Sequence, residues 1–198
     1  MNTQPLSTYS KILALHQAGH RQLHPCTCGP SSLSLVTQAL GLEVKPESDW
    51  LKPAFAKFIP LTELTTTRGM ALHEAHFTTE LVFPNELEIK LKRAFPENLP
   101  EFIKDLEEVS ARDDTAVVIN FTQDHLLDQP FQAQGSPHYS PVAGFDALDR
   151  RLLVADVDYE IPEPYWVSVE KAFEGMAFIN PAFQTPRGWL LIRRRSKV

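Results

Sequence analysis

The spacing of hydrophobic residues divides the chain into a helical first part and a strand-rich second part. Apolar residues recur at intervals of three and four between Tyr9 and Ala18, and again in the stretch that follows Cys28. This spacing is typical of amphipathic helices. Ser31 lies in the first turn of the second helix and Gly41 provides a stop signal. The pattern therefore predicts a helix that begins close to Cys28.

The middle of the chain is more polar. Leu87 to Phe95 and Leu99 to Val109 carry charged and apolar residues at roughly helical spacing. Pro96 and Pro100 separate the two stretches, because proline interrupts helices. Both stretches are predicted to be helices.

From residue 115 onwards, β-branched and apolar runs replace the helical spacing. Such runs, bounded by turn residues, are typical of strands. Tyr165 to Phe173 returns to helical spacing and is predicted to be a short helix. The predicted strands are Thr115 to Phe121, Tyr139 to Phe145, Arg151 to Val157 and Gly188 to Ile192. Helices followed by an antiparallel sheet predict an α+β fold.

Size and charge narrow the range of functions. The 198 residues are 43% hydrophobic, enough for one core, so a single domain over residues 1–198 is expected. The net charge of −6 argues against nucleic acid or an anionic membrane as the main partner. The run Arg193 to Arg195 is interpreted as a solvated tail after the last strand.

The cysteine content indicates the cellular compartment. Cys26 and Cys28 are the only two cysteines, so no disulfide framework holds the fold together and a reducing compartment is favoured. No apolar run approaches membrane-spanning length, and the first residues carry no cleavage signal. A cytoplasmic protein is expected, with a nonstandard export route left open.

Cys28 is the candidate nucleophile. The positive end of a helix dipole stabilises a thiolate over a thiol. A cysteine nucleophile needs a base, and His138 at the entrance of a predicted strand is the strongest candidate. Asp156 follows at the end of the next strand, where a hairpin would bring it back beside His138 to orient the imidazole. A role for Asp156 as a simple hairpin cap is the alternative.

Several ordered motifs resemble those of the phytochelatin synthases, which are γ-glutamylcysteine dipeptidyl transpeptidases of the papain-like superfamily. The resemblance spans residues 20 to 193, with residues 51 to 115 matching only loosely. The bacteriocin-processing cysteine peptidases share the first motif, but the Ser-Pro after His138 is more similar to phytochelatin synthase. The matching elements are Gln22 to Gly29 (Gln-x5-Cys-Gly), the run to Gly41, Trp50, Asn120, His138-Tyr139-Ser140-Pro141 with Gly144, Asp156-Val157, Pro164 to Val167 and Arg187-Gly188-Trp189.

The resemblance implies a papain-like fold, with the nucleophile helix in an N-terminal helical lobe and an antiparallel sheet in a C-terminal lobe. It implies that Cys28 attacks the amide between the cysteine and glycine of glutathione. Gln22 would stabilise the oxyanion, as a glutamine before the nucleophile does in papain-like enzymes. The residues expected to bind substrate are Gly29, Asn120, Tyr139 and Arg187.

The chain departs from the family pattern on the acceptor side. Plant-like members carry a basic, aromatic run after the aspartate, whereas this chain has the acidic segment from Asp158 to Glu163. Gln123 stands where an arginine is expected. A second glutathione carries two carboxylates and would be held by cations. These departures favour hydrolysis or a non-glutathione acceptor over phytochelatin synthesis.

The expected partner is therefore glutathione or a related γ-glutamyl thiol, and no cofactor is expected. The resemblance implies that metal ions enter as thiolate complexes of the substrate. The oligomeric state is open, a homodimer included.

Two alternatives remain at this point. One is a cysteine peptidase or amidase that acts on another peptide or conjugate. The other is a thiol or metal-binding module built from Cys26, Cys28 and the series His16, His20 and His24, although Pro25 interrupts its helical spacing. Cys26 is interpreted as a packing residue, and the remaining histidines as surface or core residues: His73, His76 and His125.

Overall fold

The computed structural model describes residues 7–52, 69–130 and 136–196. The helices are α1 (Thr8–Gln17), α2 (Cys28–Ala39), α3 (Leu72–Val82), α4 (Leu99–Ser110), α5 (Gln123–Leu126) and α6 (Val169–Ala177), with 3-10 turns at Glu47–Leu51 and Pro96–Asn98. The strands are β1 (Leu87–Arg93), β2 (Thr115–Thr122), β3 (Pro137–Asp146), β4 (Arg151–Val154), β5 (Tyr165–Ser168), β6 (Ile179–Asn180), β7 (Thr185–Pro186) and β8 (Gly188–Arg194).

A six-stranded antiparallel sheet organises these elements. Its strand order is β1-β8-β2-β3-β4-β5, and β6 and β7 form a separate pair. Helices cover both faces of the sheet, which explains why all eight residues of β2 are buried. Ala116 and Val118 pack with Leu33 of α2, whereas Val117 and Ile119 pack with Phe102 of α4.

Most sequence-based elements are confirmed. Helices α1, α2 and α4 and strands β2, β3 and β8 lie where they were predicted, within two residues at each end. Gly41 follows the end of α2 with a φ of +75°, a left-handed conformation that glycine adopts without strain. The expectation of an α+β fold is therefore confirmed, whereas the single domain stays a prediction.

The prediction of a helix over Leu87 to Phe95 is wrong, because these residues form β1. Leu87, Ile89 and Leu91 alternate with Glu88, Lys90 and Lys92, which is the two-residue period of a strand. Leu87 belongs to the core cluster of α2, and Ile89 and Leu91 pack against that cluster. The alternation is the signal that the helical interpretation missed.

Two further boundaries need correction. The helix predicted over Tyr165 to Phe173 is a strand up to Ser168, because its first four residues pair with β4. Ser168 then caps α6, since its hydroxyl accepts the Lys171 N–H at 3.2 Å. The strand predicted to reach Val157 ends at Val154, so Asp156 lies in the loop that follows β4.

Within the described ranges, no helix combines the length and the apolar character that crossing a membrane requires. Cys26 and Cys28 are both free thiols.

Candidate active site

Cys28 is the first residue of α2, and its side chain is buried. Every residue from Cys28 to Thr37 is buried, so the protein surrounds the first part of this helix. The N-cap residue Thr27 makes no side-chain hydrogen bond to α2, and its hydroxyl donates instead to the His24 carbonyl oxygen at 2.9 Å. The first N–H groups of a helix favour negative charge beside them, and Cys28 lies at this end of α2.

His138 joins Cys28 to Asp156. The charge of Cys28 acts on the imidazole, and the ring Nε2 lies 2.6 Å from Asp156 Oδ1. Because a carboxylate only accepts hydrogen bonds, the His138 Nε2 carries a proton. In the neutral ring, Nδ1 is therefore the basic nitrogen. The structure thus brings together the three residues that the sequence singled out, with His138 between Cys28 and Asp156.

Asp156 is fully buried and has further partners. Its Oδ1 also accepts the Asp158 N–H at 3.0 Å, and its Oδ2 accepts the Tyr165 hydroxyl at 2.9 Å. Burial by itself would raise the pKa of Asp156, but His138 and these donors lower it below its ordinary value. Asp156 is therefore a carboxylate near neutral pH.

The electrostatics of His138 follow from the same contacts. Burial by itself would lower the pKa of His138, but the charges of Asp156 and Cys28 raise it well above its ordinary value. The site therefore favours an imidazolium beside the Asp156 carboxylate. A thiolate paired with an imidazolium is a competent nucleophile and proton donor.

Gln22 lies in the segment before Cys28 and is also buried. Its main-chain N–H donates to the Val157 carbonyl oxygen at 2.7 Å, next to Asp156. Its side-chain Oε1 has no hydrogen-bond partner among the described residues. The main-chain bond fixes Gln22 relative to the loop that carries the acid, and the oxyanion role stays a prediction.

Asn120 and Tyr139 lie opposite each other on β2 and β3. Asn120 Nδ2 donates to the main-chain oxygen of His138 at 3.0 Å, so this amide holds the backbone of the base. The Tyr139 ring lies beside Gly29, where a Cβ would be 3.6 Å from Tyr139 Cδ2 and 3.3 Å from Met70 Cβ. A side chain larger than glycine would crowd this contact.

Arg187 immediately precedes β8 and is buried. Its Nη1 donates to the Phe178 carbonyl oxygen at 3.1 Å, and its Nε has no hydrogen-bond partner within the described ranges. Only glycine fits at position 188, next to Arg187, because β1 approaches closely. A Cβ at this position would lie 2.0 Å from the Lys92 carbonyl oxygen. The backbone around Arg187 is therefore fixed by the sheet.

The histidines considered as metal ligands have other partners. His16 Nε2 donates to the main-chain oxygen of Asp156 at 2.7 Å, and His20 Nε2 lies 2.9 Å from the Ser31 carbonyl oxygen. Across the three described segments, no group of three histidine, cysteine or acidic side chains could hold a metal ion. Burial and the nearby charge of Cys28 raise the pKa of Cys26, which keeps Cys26 a thiol.

The remaining histidines contact residues other than Cys28, His138 and Asp156. His76 is close to Glu80, with 3.7 Å between Nε2 and Oε1, and His125 is 3.4 Å from Glu174. His73 is exposed and its ring packs edge-on against Phe183.

The two departures from the family pattern meet in one contact. Gln123 Nε2 donates to Asp158 Oδ2 at 3.3 Å, and the Asp158 backbone bonds to Asp156 as described above. Arg21 donates to the Pro162 carbonyl oxygen and fastens the other end of the acidic segment. The acidic segment therefore begins directly beside the carboxylate that holds His138.

Two residues at the site escaped the sequence-based list. Tyr165 belongs to a recognised motif, but the helix assigned there hid its contact with Asp156. His16 was considered only as a metal ligand. A buried histidine on the apolar side of α1 was the available signal for a structural hydrogen bond.

Comparisons with known proteins show which family the chain resembles. The sequence model of the phytochelatin synthase family matches residues 2–189. A glutathione gamma-glutamylcysteinyltransferase 1 from Lotus japonicus is 23% identical over 196 residues, covering 87% of this chain and 34% of that protein. A glutathione gamma-glutamylcysteinyltransferase from Schizosaccharomyces pombe is 34% identical over 92 residues, covering 46% of this chain and 21% of that protein. The chain thus spans about a third or less of these curated relatives.

A solved structure shows a similar fold. A C39-like peptidase from Bacillus anthracis superimposes with a TM-score of 0.58 at 15% sequence identity, covering 89% of this chain and 94% of that one. The papain-like α+β fold expected from the motifs is therefore confirmed.

Proposed function

The chain belongs to the phytochelatin synthase family, and we propose that it is a cysteine acyltransferase or hydrolase that acts on glutathione or a related γ-glutamyl thiol. The series Cys28–His138–Asp156 carries this proposal, because it supplies a nucleophile, a proton carrier and a carboxylate that is hydrogen-bonded to the proton carrier. The relatives that share the family are named for transfer of the γ-glutamylcysteinyl group.

In the first half of the reaction, Cys28 Sγ attacks the carbonyl carbon of the Cys–Gly amide. The Cys28 N–H and the Gln22 side-chain amide hold the oxyanion of the tetrahedral intermediate. His138, as the imidazolium, donates its proton to the departing amine, so glycine leaves and a γ-glutamylcysteinyl thioester remains on Cys28. Asp156 keeps the ring in the required orientation.

In the second half, neutral His138 takes a proton from the incoming nucleophile, which attacks the thioester and releases Cys28. Water gives γ-glutamylcysteine, and the amine of a second glutathione gives a phytochelatin. The contact between Gln123 and Asp158 places an uncharged amide and a carboxylate where relatives carry cations. A carboxylate-bearing acceptor is repelled there, so we propose that water is the main acceptor.

We propose that this reaction takes place in the cytoplasm. Free Cys26 and Cys28 need a reducing compartment, and glutathione is abundant in such compartments.

Intact-mass measurement after brief incubation with glutathione tests the proposal. Glycine release is followed in parallel, and Cys28→Ala is the control. A γ-glutamylcysteinyl adduct with a burst of glycine, both requiring Cys28, is expected. The ratio of γ-glutamylcysteine to longer products then separates hydrolysis from transpeptidation.

The alternatives predict different results in the same assay. No adduct and no glycine, with or without zinc or cadmium, would refute the proposal and favour a peptidase or amidase with another substrate. Stoichiometric zinc that is lost on Cys26→Ala would favour the metal-binding module.

A further inference from the structure

A row of facing residues crosses four strands of the sheet next to the candidate nucleophile. Tyr139 on β3 pairs with Asn120 on β2, Asn120 pairs with Gly188 on β8, and Gly188 pairs with Arg93 on β1. Directly opposite residues of antiparallel strands point to the same face. Arg93 and Tyr139 therefore lie on one face of the sheet, in one row.

This face is the one that packs against α2. The preceding row contains Val118 and Leu190, which belong to the core cluster of Cys28, and Leu91, which packs against it. The apolar face thus becomes polar one row later, at Arg93 and Tyr139. Such a change in a buried layer needs polar partners, because an unpartnered buried polar group is costly.

The protein does not supply those partners within the described ranges. The Tyr139 hydroxyl is buried and makes no hydrogen bond, although its ring lies against Gly29. Arg187 is 2% exposed and its Nε is unpartnered as well. A buried hydroxyl beside Gly29 and a buried guanidinium N–H are therefore left unsatisfied among the described residues.

The two arginines near this row also have unused hydrogen-bond donors and no carboxylate partner among the described residues. Arg93 uses one donor on the Pro186 carbonyl oxygen at 2.9 Å, and Arg187 uses one on Phe178. A guanidinium has five N–H donors. Neither arginine has a carboxylate partner at salt-bridge distance among the described residues. Arg93 and Arg187 both lie within electrostatic range of Tyr139, as do Cys28 and Glu74.

We propose that Arg93, Arg187 and the Tyr139 hydroxyl together form a subsite that binds a carboxylate of the donor substrate beside Cys28. The inference rests on the proposed function and deepens it by assigning Arg93 and the Tyr139 hydroxyl to donor selectivity. Guanidinium groups match a carboxylate in geometry and charge, and the hydroxyl adds a third donor. Burial, with the charges of Cys28 and Glu74, raises the pKa of Tyr139 well above its ordinary value, so the hydroxyl keeps its proton.

Glutathione has two carboxylates, and selectivity assays distinguish them. The substrates are glutathione, its ethyl ester at the glycine carboxylate, and 4-aminobutanoyl-Cys-Gly, which lacks the carboxylate of the γ-glutamyl residue. For the wild type, kcat/KM is expected to fall at least 10-fold for the analogue that lacks the bound carboxylate. Tyr139→Phe and Arg93→Met should lower kcat/KM for glutathione by roughly 10- to 100-fold, the effect of losing a hydrogen bond to a charged group.

Loss of selectivity is the decisive result. In both variants, the preference for glutathione over the analogue that lacks the bound carboxylate should shrink. The preference for glutathione over the other analogue should stay at its wild-type value, because kcat/KM falls equally for both substrates. Arg112→Met is the matched control, because Arg112 lies at the opposite end of β2 and pairs with Asp114 at the surface. Variants that keep the wild-type preference would overturn the subsite.

A stability comparison tests the hydroxyl independently of turnover. Tyr139→Phe should leave Tm of the free protein unchanged or raise it, because it removes an unsatisfied hydroxyl. Tyr9→Phe is the matched control: the Tyr9 hydroxyl donates to the Leu106 carbonyl oxygen at 3.0 Å, so its loss should lower Tm. A Tyr139→Phe protein destabilised as much as Tyr9→Phe would overturn the proposal.

Failure of the proposed function gives a different result from failure of this inference. No glycine release by the wild type refutes the function. Release with unchanged selectivity in Tyr139→Phe and Arg93→Met refutes the subsite alone.

Discussion

His16 and Asp156 are 140 residues apart in sequence, yet His16 Nε2 lies 2.7 Å from the main-chain oxygen of Asp156. The side chain of the same aspartate holds His138. Since a carbonyl oxygen only accepts, His16 donates from Nε2, and its buried Nδ1 has no partner among the described residues. Burial lowers the pKa of His16, which keeps the ring neutral. Helix α1 therefore fixes the backbone of the acid.

His16→Phe should remove this donor and keep a ring of similar size. We expect the free energy of unfolding to fall by about 1–3 kcal/mol, because a buried carbonyl loses its partner. We also expect kcat to fall with little change in KM, since Asp156 acts on His138 and not on substrate binding. Denaturant titration and steady-state kinetics check both. His73→Phe, at an exposed position, is the control, and a His16→Phe protein with wild-type stability would contradict the assignment.

The pKa of His138 depends on its two negative neighbours. Burial opposes its protonation, and the charge of Asp156 followed by that of Cys28 raises the pKa. Asp156→Asn should therefore lower the pKa of His138 strongly, and Cys28→Ala should lower it less. Titration of the ring proton by NMR measures both shifts. An unchanged pKa in Asp156→Asn would contradict the electrostatic account.

The same raised pKa has a consequence for stability. A group whose pKa is higher in the folded state stabilises the fold fully below its unfolded pKa, about 6.5 for histidine. This contribution disappears as the pH rises through the folded pKa. The free energy of unfolding should thus decrease between pH 6.5 and the folded pKa, and His138→Gln should flatten that slope.

Gln22→Ala tests the oxyanion donor. Loss of one donor typically lowers kcat by roughly 100- to 1000-fold, and KM should change little because the interaction strengthens only in the transition state. The main-chain bond from Gln22 to Val157 does not involve the side chain and should persist. Single-turnover glycine release provides the measurement. A small change in kcat with a large change in KM would assign Gln22 to ground-state binding instead.

Much of the site could be predicted because its residues lie within short, ordered motifs. A helix start at Cys28 and the strand after His138 were visible in local apolar spacing. The contact between His16 and Asp156 was not, because it joins distant segments and no local pattern encodes it.

The wrong prediction of a helix at β1 also hid one residue of the proposed subsite. The alternation of apolar and charged residues from Leu87 to Arg93 covers only seven residues, and the helical interpretation read the longer stretch to Phe95 by its mix of charged and apolar positions. Only pairing with β8 decides the matter, since it buries one face of the strand. Arg93 was consequently absent from the sequence-based site, although it lies in the same row as Tyr139.

The acceptor side offers the last prediction, because two departures from the family pattern touch each other. Gln123 donates to Asp158, and the backbone of Asp158 donates to Asp156. Gln123→Arg combined with Asp158→Asn would restore a cation and remove one negative charge, while asparagine can still accept the Glu160 N–H that Asp158 accepts at 3.0 Å. The double variant should partition the thioester toward glutathione, with the ratio of phytochelatin to γ-glutamylcysteine rising roughly 2- to 10-fold. Each exposed charge change contributes up to about 1 kcal/mol.

The matched control carries the same charge change at the opposite end of the sheet. Asn85→Arg with Asp113→Asn alters two exposed residues, before β1 and before β2, and should leave the product ratio at its wild-type value. Because both double variants change the net charge equally, a general attraction of anions would raise the ratio in both. A local acceptor site raises it only in the Gln123 and Asp158 variant, and more so at low ionic strength, since salt screens exposed charges. An unchanged ratio in that variant would show that the acidic segment does not decide between water and glutathione.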